Sequence, residues 1–357
     1  MRVIISAGGT GGHIYPAVSI INKIKEMDNK SEILYIGTTD RMERDIIPSL
    51  GIKYIGIKTN GVSKNIIKLT KFVTNTLISY NKCRKIMKDF KPDIVIGVGG
   101  YVTTPVLLAA HSLKIKILIH EQNSIPGKAN LMLSKYADAI CVSMKSSEKY
   151  FNNKNVFFTG NPRGEEILKG NKLDKTKLGL TKDKKLVVIT TGSLGSSIIN
   201  NKIVKLLPKI KDKDYEVLFI TGKGNYEELQ KEKMPKNVIL KPYIDNMNEL
   251  LKVTDLIVSR AGATIISEIT SLGLVSILIP SPYVANNHQE INALDLEKND
   301  AAYVIREKDF DEDKFINMMD ELLNDEEKIK KIKTNCKKMG VTDSATRIYK
   351  QIEKLVK

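Results

Sequence analysis

The chain contains no tryptophan, and aromatic residues make up only 6% of it. Nor does it carry a zinc-finger or RNP-like pattern, which argues against nucleic acid as the partner. Three cysteines, Cys83, Cys141 and Cys336, stand far apart. They match no metal or redox spacing and suit a reducing compartment, each as a small hydrophobe. No apolar run approaches the ~20 residues that a membrane-spanning helix needs. The opening Arg2-Val3-Ile4-Ile5-Ser6 already resembles a strand, so no signal peptide is expected. Acidic residues are in deficit: 41 Asp and Glu against 57 Lys and Arg leave a net charge of +16.

What is present is a soluble globular composition, 42% hydrophobic and 27% charged, over 357 residues. That length allows two domains of ordinary size. The charge is uneven. Residues 1–160 carry net +12, residues 161–357 net +4, and the segment 51–91 alone holds ten basic residues against Asp89. Something anionic should meet the N-terminal half.

Short, continuously apolar runs alternate with helix-like stretches. Strands are expected at Val3–Ser6, Ile33–Ile36, Ile94–Val98, Ile117–His120, Ala139–Val142 and Val156–Phe158. A second series is expected at Leu186–Thr191, Glu216–Ile220, Val238–Lys241, Leu256–Ser259, Ser276–Ile279 and Ala302–Val304. Runs of this kind suit parallel strands buried on both faces. Amphipathic helices fit between them at Ala17–Met27, Thr104–Ser112, Asn201–Ile210 and Asp313–Leu323. Two such series imply an α/β chain of two doubly wound, Rossmann-like domains. The boundary is expected at Gly160-Asn161-Pro162, giving domains 1–161 and 162–342. A last amphipathic helix follows at 343–357, with Asp343 or Thr342 as its N-cap and Ile348, Ile352 and Leu355 on one face.

The first strand ends in Gly8-Gly9-Thr10-Gly11-Gly12-His13, at the start of a helix. Such a turn admits close backbone approach, and the helix N–H groups favour an anion. The dinucleotide pattern Gly-x-Gly-x-x-Gly fits only with the wrong spacing, and no P-loop motif is present. The device recurs at Thr191-Gly192-Ser193-Leu194-Gly195-Ser196 and at Arg260-Ala261-Gly262-Ala263-Thr264, which opens a helix containing Glu268. Three small-residue turns at strand ends in two domains outline one interdomain crevice.

His13 stands exposed by its glycines where the first helix begins, a placement that suits a base or an orienter of a hydroxyl. His120-Glu121-Gln122-Asn123 sets four polar side chains at the end of a buried strand, where each needs a partner or a use. A zinc reading of His120 and Glu121 lacks a helix and a second spaced histidine. Asp212-Lys213-Asp214 and Asp311-Glu312-Asp313 read as solvated surface and helix cap, so no metal site is expected. Asn286-Asn287-His288-Gln289 runs into a helix with amides suited to sugar hydroxyls.

Taken in order, Gly8–His13, His120–Asn123, Gly160-Asn161-Pro162-Arg163, Ser259–Ala263, Ser267-Glu268 and Asn287-His288-Gln289 resemble the MurG family of N-acetylglucosaminyltransferases over essentially the whole chain. The resemblance implies a GT-B fold, with two Rossmann-like domains facing a central cleft. It implies metal-independent, inverting transfer of GlcNAc from UDP-GlcNAc to lipid I, forming lipid II, at the cytoplasmic face of the cell membrane. It also implies no cofactor, and contact with other cell-wall synthesis proteins and an anionic inner membrane surface. Carried over by motif, Thr10, Gly11, Gly12 and Asn123 meet the donor sugar, and Arg163 and Ser193 the diphosphate. Ile244 reads the uracil edge, Tyr243 caps the base, Glu268 takes the ribose hydroxyls, and Gln289 and Asn292 the sugar hydroxyls. The helix start at Ala263 and Thr264 meets growing phosphate charge. The chain departs from many members at Thr191 and Leu194, at Glu290 in place of a second glutamine, and in placing Arg163 directly after Pro162.

His13 is the first candidate for the base, with His120 and Glu121 as rivals. The acceptor and membrane face is expected at Tyr101 and along Lys64, Ile66, Lys68, Leu69, Lys71, Phe72 and Val73, where an apolar helical stripe lies beside basic residues. Other readings remain: a UDP-GlcNAc 2-epimerase, a glycolipid synthase, or a non-enzymatic basic membrane-binding protein.

Overall fold

The computed structural model describes every residue except 60, 62–65, 153, 154, 193 and 194, and at 66–69, 71 and 72 it describes the backbone alone. It forms two compact units, Met1–Glu166 with Asp343–Lys357, and Ile167–Thr342.

In the first unit seven strands lie parallel: β1 (Arg2–Ala7), β2 (Glu32–Thr38), β3 (Lys53–Ile57), β4 (Ile94–Gly99), β5 (Lys116–Glu121), β6 (Ala139–Val142) and β7 (Val156–Phe158). Their order is β3-β2-β1-β4-β5-β6-β7. Connections run outward in opposite directions from β1 and β4, so the sheet has its topological switch point between those two strands. Alternate residues bury on opposite faces: Val3, Ile5 and Ala7 pack with Ile14, Ile20 and Ile24, whereas Ile4 packs with Val106 and Ile119. That two-sided burial explains why the strands read as unbroken apolar runs.

The strand β3 departs from the expected pattern. Its sequence Lys-Tyr-Ile-Gly-Ile is interrupted by lysine and glycine, and it pairs only with β2 at the sheet edge. An edge strand is only partly covered, so it lacks the apolar run that marks its neighbours.

The second unit has six parallel strands: β8 (Lys185–Thr190), β9 (Tyr215–Ile220), β10 (Val238–Lys241), β11 (Leu256–Ser259), β12 (Val275–Leu278) and β13 (Tyr303–Val304). The order β10-β9-β8-β11-β12-β13 puts the switch point between β8 and β11. Val187 and Ile189 pack on one face, Leu186 and Val188 on the other.

The C-terminal helix Ser344–Val356 buries Ile348 and Ile352 in the first unit's core, where Leu355 packs beside them. Asp343 stands at its N-cap position without a capping hydrogen bond, and pairs with Arg347 at 2.8 Å instead. The division between units falls after Glu166, beyond the expected boundary at residue 161. The short helix Arg163–Glu166 is held in the first unit by Glu165. That carboxylate accepts from Lys23 Nζ at 2.6 Å and from the Thr346 backbone N–H at 2.7 Å and hydroxyl at 2.9 Å. Arg163 therefore stands in the first unit. All three cysteines are buried and free.

Candidate active site

In the first unit the candidate side chains collect at the carboxyl ends of β1, β4 and β5, beside the switch point. The turns after β1 and β4 lie against each other, with the Gly8 N–H donating to the Gly99 carbonyl at 3.2 Å. Gly100 has φ +90°, and a Cβ there would come within 2.4 Å of the Gly8 carbonyl oxygen. No other residue fits both conditions. Beneath the first turn lies a carboxylate that the sequence did not flag. Glu43 is fully buried and accepts from the Gly9 N–H at 3.2 Å, and from the Thr38 N–H at 3.0 Å and hydroxyl at 2.7 Å. Its sequence context, among Arg41, Arg44 and Asp45, reads as an exposed helix start.

The helix Gly11–Met27 begins at the turn, with Thr10 extended at the N-cap and its hydroxyl making no cap bond. Thr10 and Gly12 are exposed and Gly11 is buried. His13 follows, half-exposed. Its Nδ1 lies 2.9 Å from Gln122 Oε1, and its Nε2 has no protein hydrogen-bond partner among the described residues.

The two rivals to His13 are differently placed. His120 is fully buried, with Nε2 3.3 Å from the Gly160 carbonyl and Nδ1 2.9 Å from the Gln122 amide nitrogen. Burial pushes its pKa down to about 4; the Gly160 carbonyl acts in the opposite direction, and proximity to His13 adds to the lowering. Glu121 is also buried, and four donors converge on it. They are the Asn123 N–H at 2.9 Å and side-chain amide at 3.3 Å, the Gly127 N–H at 3.0 Å and the Asn130 amide at 2.8 Å. A carboxylate so occupied holds the loop after β5 in place and has no free edge for an incoming proton. The ring nitrogens of His120 and the carboxylate oxygens of Glu121 are thus occupied by protein partners, whereas His13 Nε2 is not, among the described residues. Asn123 in turn is half-buried, fixed to Glu121 through its own amide.

Tyr101 is 55% exposed at the end of β4. The Arg163 guanidinium lies 5.8 Å from the Tyr15 ring centroid, and its backbone N–H donates to Asn161 Oδ1 at 3.1 Å. Lys64 lies outside the described residues. Ile66, Lys68, Leu69, Lys71 and Phe72 fall on the helix Ile66–Phe90, with their side chains outside the described set. On the same helix Val73, Leu77 and Ile78 are exposed, whereas Ser79, Cys83 and Met87 are buried. Tyr80, also on this helix, packs against the core.

In the second unit the corresponding turns follow β8 and β11. Ser193 and Leu194 lie outside the described residues. Thr191 is buried and supplies a hydroxyl to the turn. That hydroxyl donates to Asn200 Oδ1 at 2.9 Å and accepts from the Ser196 N–H at 3.1 Å, closing the turn onto the helix Ser197–Leu206. Gly195 has φ +77°, and a Cβ there would meet the Thr221 carbonyl oxygen at 2.4 Å. Arg260 clamps the turn from beside it. It donates to Ser196 Oγ at 2.6 Å and to the Ile279 carbonyl at 3.2 Å, and pairs with Glu307 at 2.7 Å.

Gly262 is the extended N-cap of the helix Ala263–Leu272, whose first N–H groups belong to Ala263 and Thr264. Glu268 is buried on that helix. Gln289 accepts from the Ser281 N–H at 2.9 Å through its amide oxygen. Two successive left-handed residues, Asn286 (φ 56°) and Asn287 (φ 50°), precede the helix His288–Lys298. Asparagine tolerates that conformation better than most residues, and such turns collect at functional sites. Glu290 pairs with Arg306 at 2.5 Å.

Asn292 is fully buried, and its amide donates to the Ala261 carbonyl at 3.2 Å, which ties it to the turn that precedes Ala263. Tyr243 is half-buried with Lys223 Nζ 5.6 Å from its ring centroid, and Ile244 packs partly against the core. Among the described residues no group of three or more His, Cys, Asp or Glu is placed to hold a metal ion.

Two all-parallel sheets, each with glycine turns at its switch point, are the architecture of the GT-B glycosyltransferases. Residues 3–142 match the model of the glycosyltransferase family 28 N-terminal domain, and residues 186–348 that of the family 28 C-terminal domain. The chain is 41% identical over 363 residues to the UDP-N-acetylglucosamine--N-acetylmuramyl-(pentapeptide) pyrophosphoryl-undecaprenol N-acetylglucosamine transferase of Halalkalibacterium halodurans, covering 100% of both chains. The enzyme of the same name from Bacillus licheniformis is 42% identical over 362 residues, with 99% of each covered. This chain therefore belongs to the MurG family of N-acetylglucosaminyltransferases. The crystal structure of Acinetobacter baumannii MurG shares its fold, with a TM-score of 0.77 at 24% identity over 99% of each chain.

Proposed function

We propose that this chain transfers N-acetylglucosamine from UDP-N-acetylglucosamine to the 4-hydroxyl of the N-acetylmuramoyl group of lipid I, the undecaprenyl-diphosphate-linked pentapeptide sugar, forming lipid II. The reading rests chiefly on identity of 41% that runs the full length of a relative bearing that activity in its name. The first unit is the acceptor and membrane-facing domain, and the second binds UDP-N-acetylglucosamine.

The transfer is a single displacement with inversion. The acceptor hydroxyl attacks the anomeric carbon, its proton passes to His13 Nε2, and the bond to the UDP oxygen breaks. The transition state is oxocarbenium-like. Negative charge growing on the diphosphate is met by Arg163, Ser193 and the N–H groups of Ala263 and Thr264 at a helix start. One preorganised donor of this kind is worth about 3–4 kcal/mol. The backbone of Ile244 reads the uracil edge, Tyr243 covers the base and Glu268 takes the ribose hydroxyls. Gln289, with Thr10, Gly11, Gly12 and Asn123, faces the donor sugar.

Exposed Val73, Leu77 and Ile78, within a segment rich in lysine, make the membrane face, and Tyr101 meets the acceptor. No helix among the described residues is long and apolar enough to cross a membrane. The chain acts peripherally at the cytoplasmic face, alongside other cell-wall synthesis proteins. Incubation with radiolabelled UDP-N-acetylglucosamine and a lipid I analogue tests the reading. Label should move into the lipid product. Epimerisation of the donor, or release of free sugar without lipid labelling, would refute it.

A further inference from the structure

Gln122 is fully buried, and its amide is oriented without ambiguity. Its nitrogen lies 2.9 Å from the Val98 carbonyl and 3.1 Å from the His120 carbonyl. Carbonyl oxygens only accept, so this end must be the NH2 group. The same nitrogen lies 2.9 Å from His120 Nδ1, which must then be the unprotonated nitrogen of a neutral ring. The His120 proton therefore sits on Nε2, directed at the Gly160 carbonyl at 3.3 Å. A buried imidazole that stays neutral well below pH 7 keeps this arrangement in place.

With its NH2 end fixed, Gln122 turns Oε1 toward His13 Nδ1 at 2.9 Å. An amide oxygen only accepts, so Nδ1 must carry the proton and the lone pair of neutral His13 lies on Nε2. The ring occupies the space over Gly99, where a Cβ would lie 2.7 Å from His13 Nδ1, so a side chain at that position would displace it.

We propose that Gln122 is a positioning residue that locks His13 in the Nδ1–H tautomer and thereby presents Nε2 as the proton acceptor for glycosyl transfer. The proposal rests on the reading that His13 is the base. The hydroxyl proton moves to Nε2 as the glycosidic bond forms and the bond to the UDP oxygen breaks. The resulting imidazolium keeps its Nδ1–H bond to Gln122. The Val98 and His120 carbonyls, both on strand ends, supply the rigid reference that the helix-borne His13 lacks. This is the part an orienting carboxylate plays in a serine protease triad, where the wrong tautomer costs about 10⁴ in kcat. A neutral amide should contribute less, on the order of ten- to a hundredfold.

Nitrogen-15 imidazole NMR of the full chain tests it, since there are only four histidines to assign. Unprotonated Nε2 and protonated Nδ1 are expected for neutral His13. In Gln122→Met, which keeps the length and removes the amide, His13 should shift toward the Nε2–H form. The kcat should fall about tenfold or more, while KM for UDP-N-acetylglucosamine changes less than about threefold. A wild-type His13 protonated on Nε2 would overturn the proposal, even if the variant does not fold. So would an unchanged tautomer in a folded Gln122→Met. If His13→Ala keeps kcat within about threefold, the base reading itself fails, whatever the tautomer.

Discussion

A histidine buried without charge compensation makes stability depend on pH in a calculable way. His120 has no exposed surface, and burial drives its pKa down to about 4. In the unfolded chain it returns to about 6.5. Between those values the unfolded state binds a proton that the folded state refuses, so stability falls as pH falls. The contribution is complete above about pH 6.5, declines by about 1.4 kcal/mol per pH unit below it, and levels off beneath pH 4. From pH 8 to pH 4.5 the loss integrates to about 2.5 kcal/mol. Urea unfolding of wild-type and His120→Asn at both pH values isolates the term, because the carboxylates titrate in both proteins. Wild-type should lose about 2.5 kcal/mol more than the variant over that range. A difference that stays constant to within about 0.5 kcal/mol, or a His120 resonance that titrates near pH 6.5, would refute the reasoning.

Glu121→Gln replaces an acceptor of four N–H groups with an amide that opposes two of them; a stability loss of about 3 kcal/mol is expected in urea unfolding, with kcat of the folded variant down less than tenfold. A kcat loss of 10² or more at unchanged stability would make Glu121 the base instead. Thr191→Val removes the hydroxyl that receives the Ser196 N–H and should destabilise by about 1–3 kcal/mol in thermal or urea unfolding. Lys23→Met strands Glu165, which is only 12% exposed. Burial by itself would raise the Glu165 pKa, but hydrogen bonds from Lys23 and Thr346 outweigh it and hold the carboxyl below its ordinary value. Its contribution is present above about pH 4.3 and is lost as pH falls through the depressed pKa. The acid-unfolding midpoint should therefore move upward in Lys23→Met, as followed by circular dichroism.

The buried strands were legible because two-sided burial leaves an unbroken apolar signature, as in Val3–Ala7 or Leu186–Thr190. The glycine turns were legible because close backbone approach excludes side chains, as at Gly100 and Gly195. What escaped depends on contacts distant in sequence. The edge strand Lys53–Ile57 is covered on too little of its surface to show a pattern. The first helix starts at Gly11 rather than Ala17, since glycines and Pro16 conceal its opening turns. Glu43, Lys23 and Glu165 look like solvated charges in sequence, and only tertiary partners 5 to 142 positions away reveal the first two as buried and Glu165 as largely covered. The polar tetrad His120–Asn123 stands out in the sequence as four polar side chains at a strand end, but the sequence does not show how their contacts divide. Distances alone separate Glu121, which braces a loop, and Gln122, which orients a ring, from the two histidines.

The most direct test compares wild-type and His13→Ala in single-turnover transfer of labelled N-acetylglucosamine to a lipid I analogue, with the donor saturating. Wild-type should form labelled lipid product, and the variant should bind UDP-N-acetylglucosamine normally yet transfer about 10²–10⁴ times more slowly. Transfer by the variant within about threefold of wild-type, or no lipid product from either, would contradict the account.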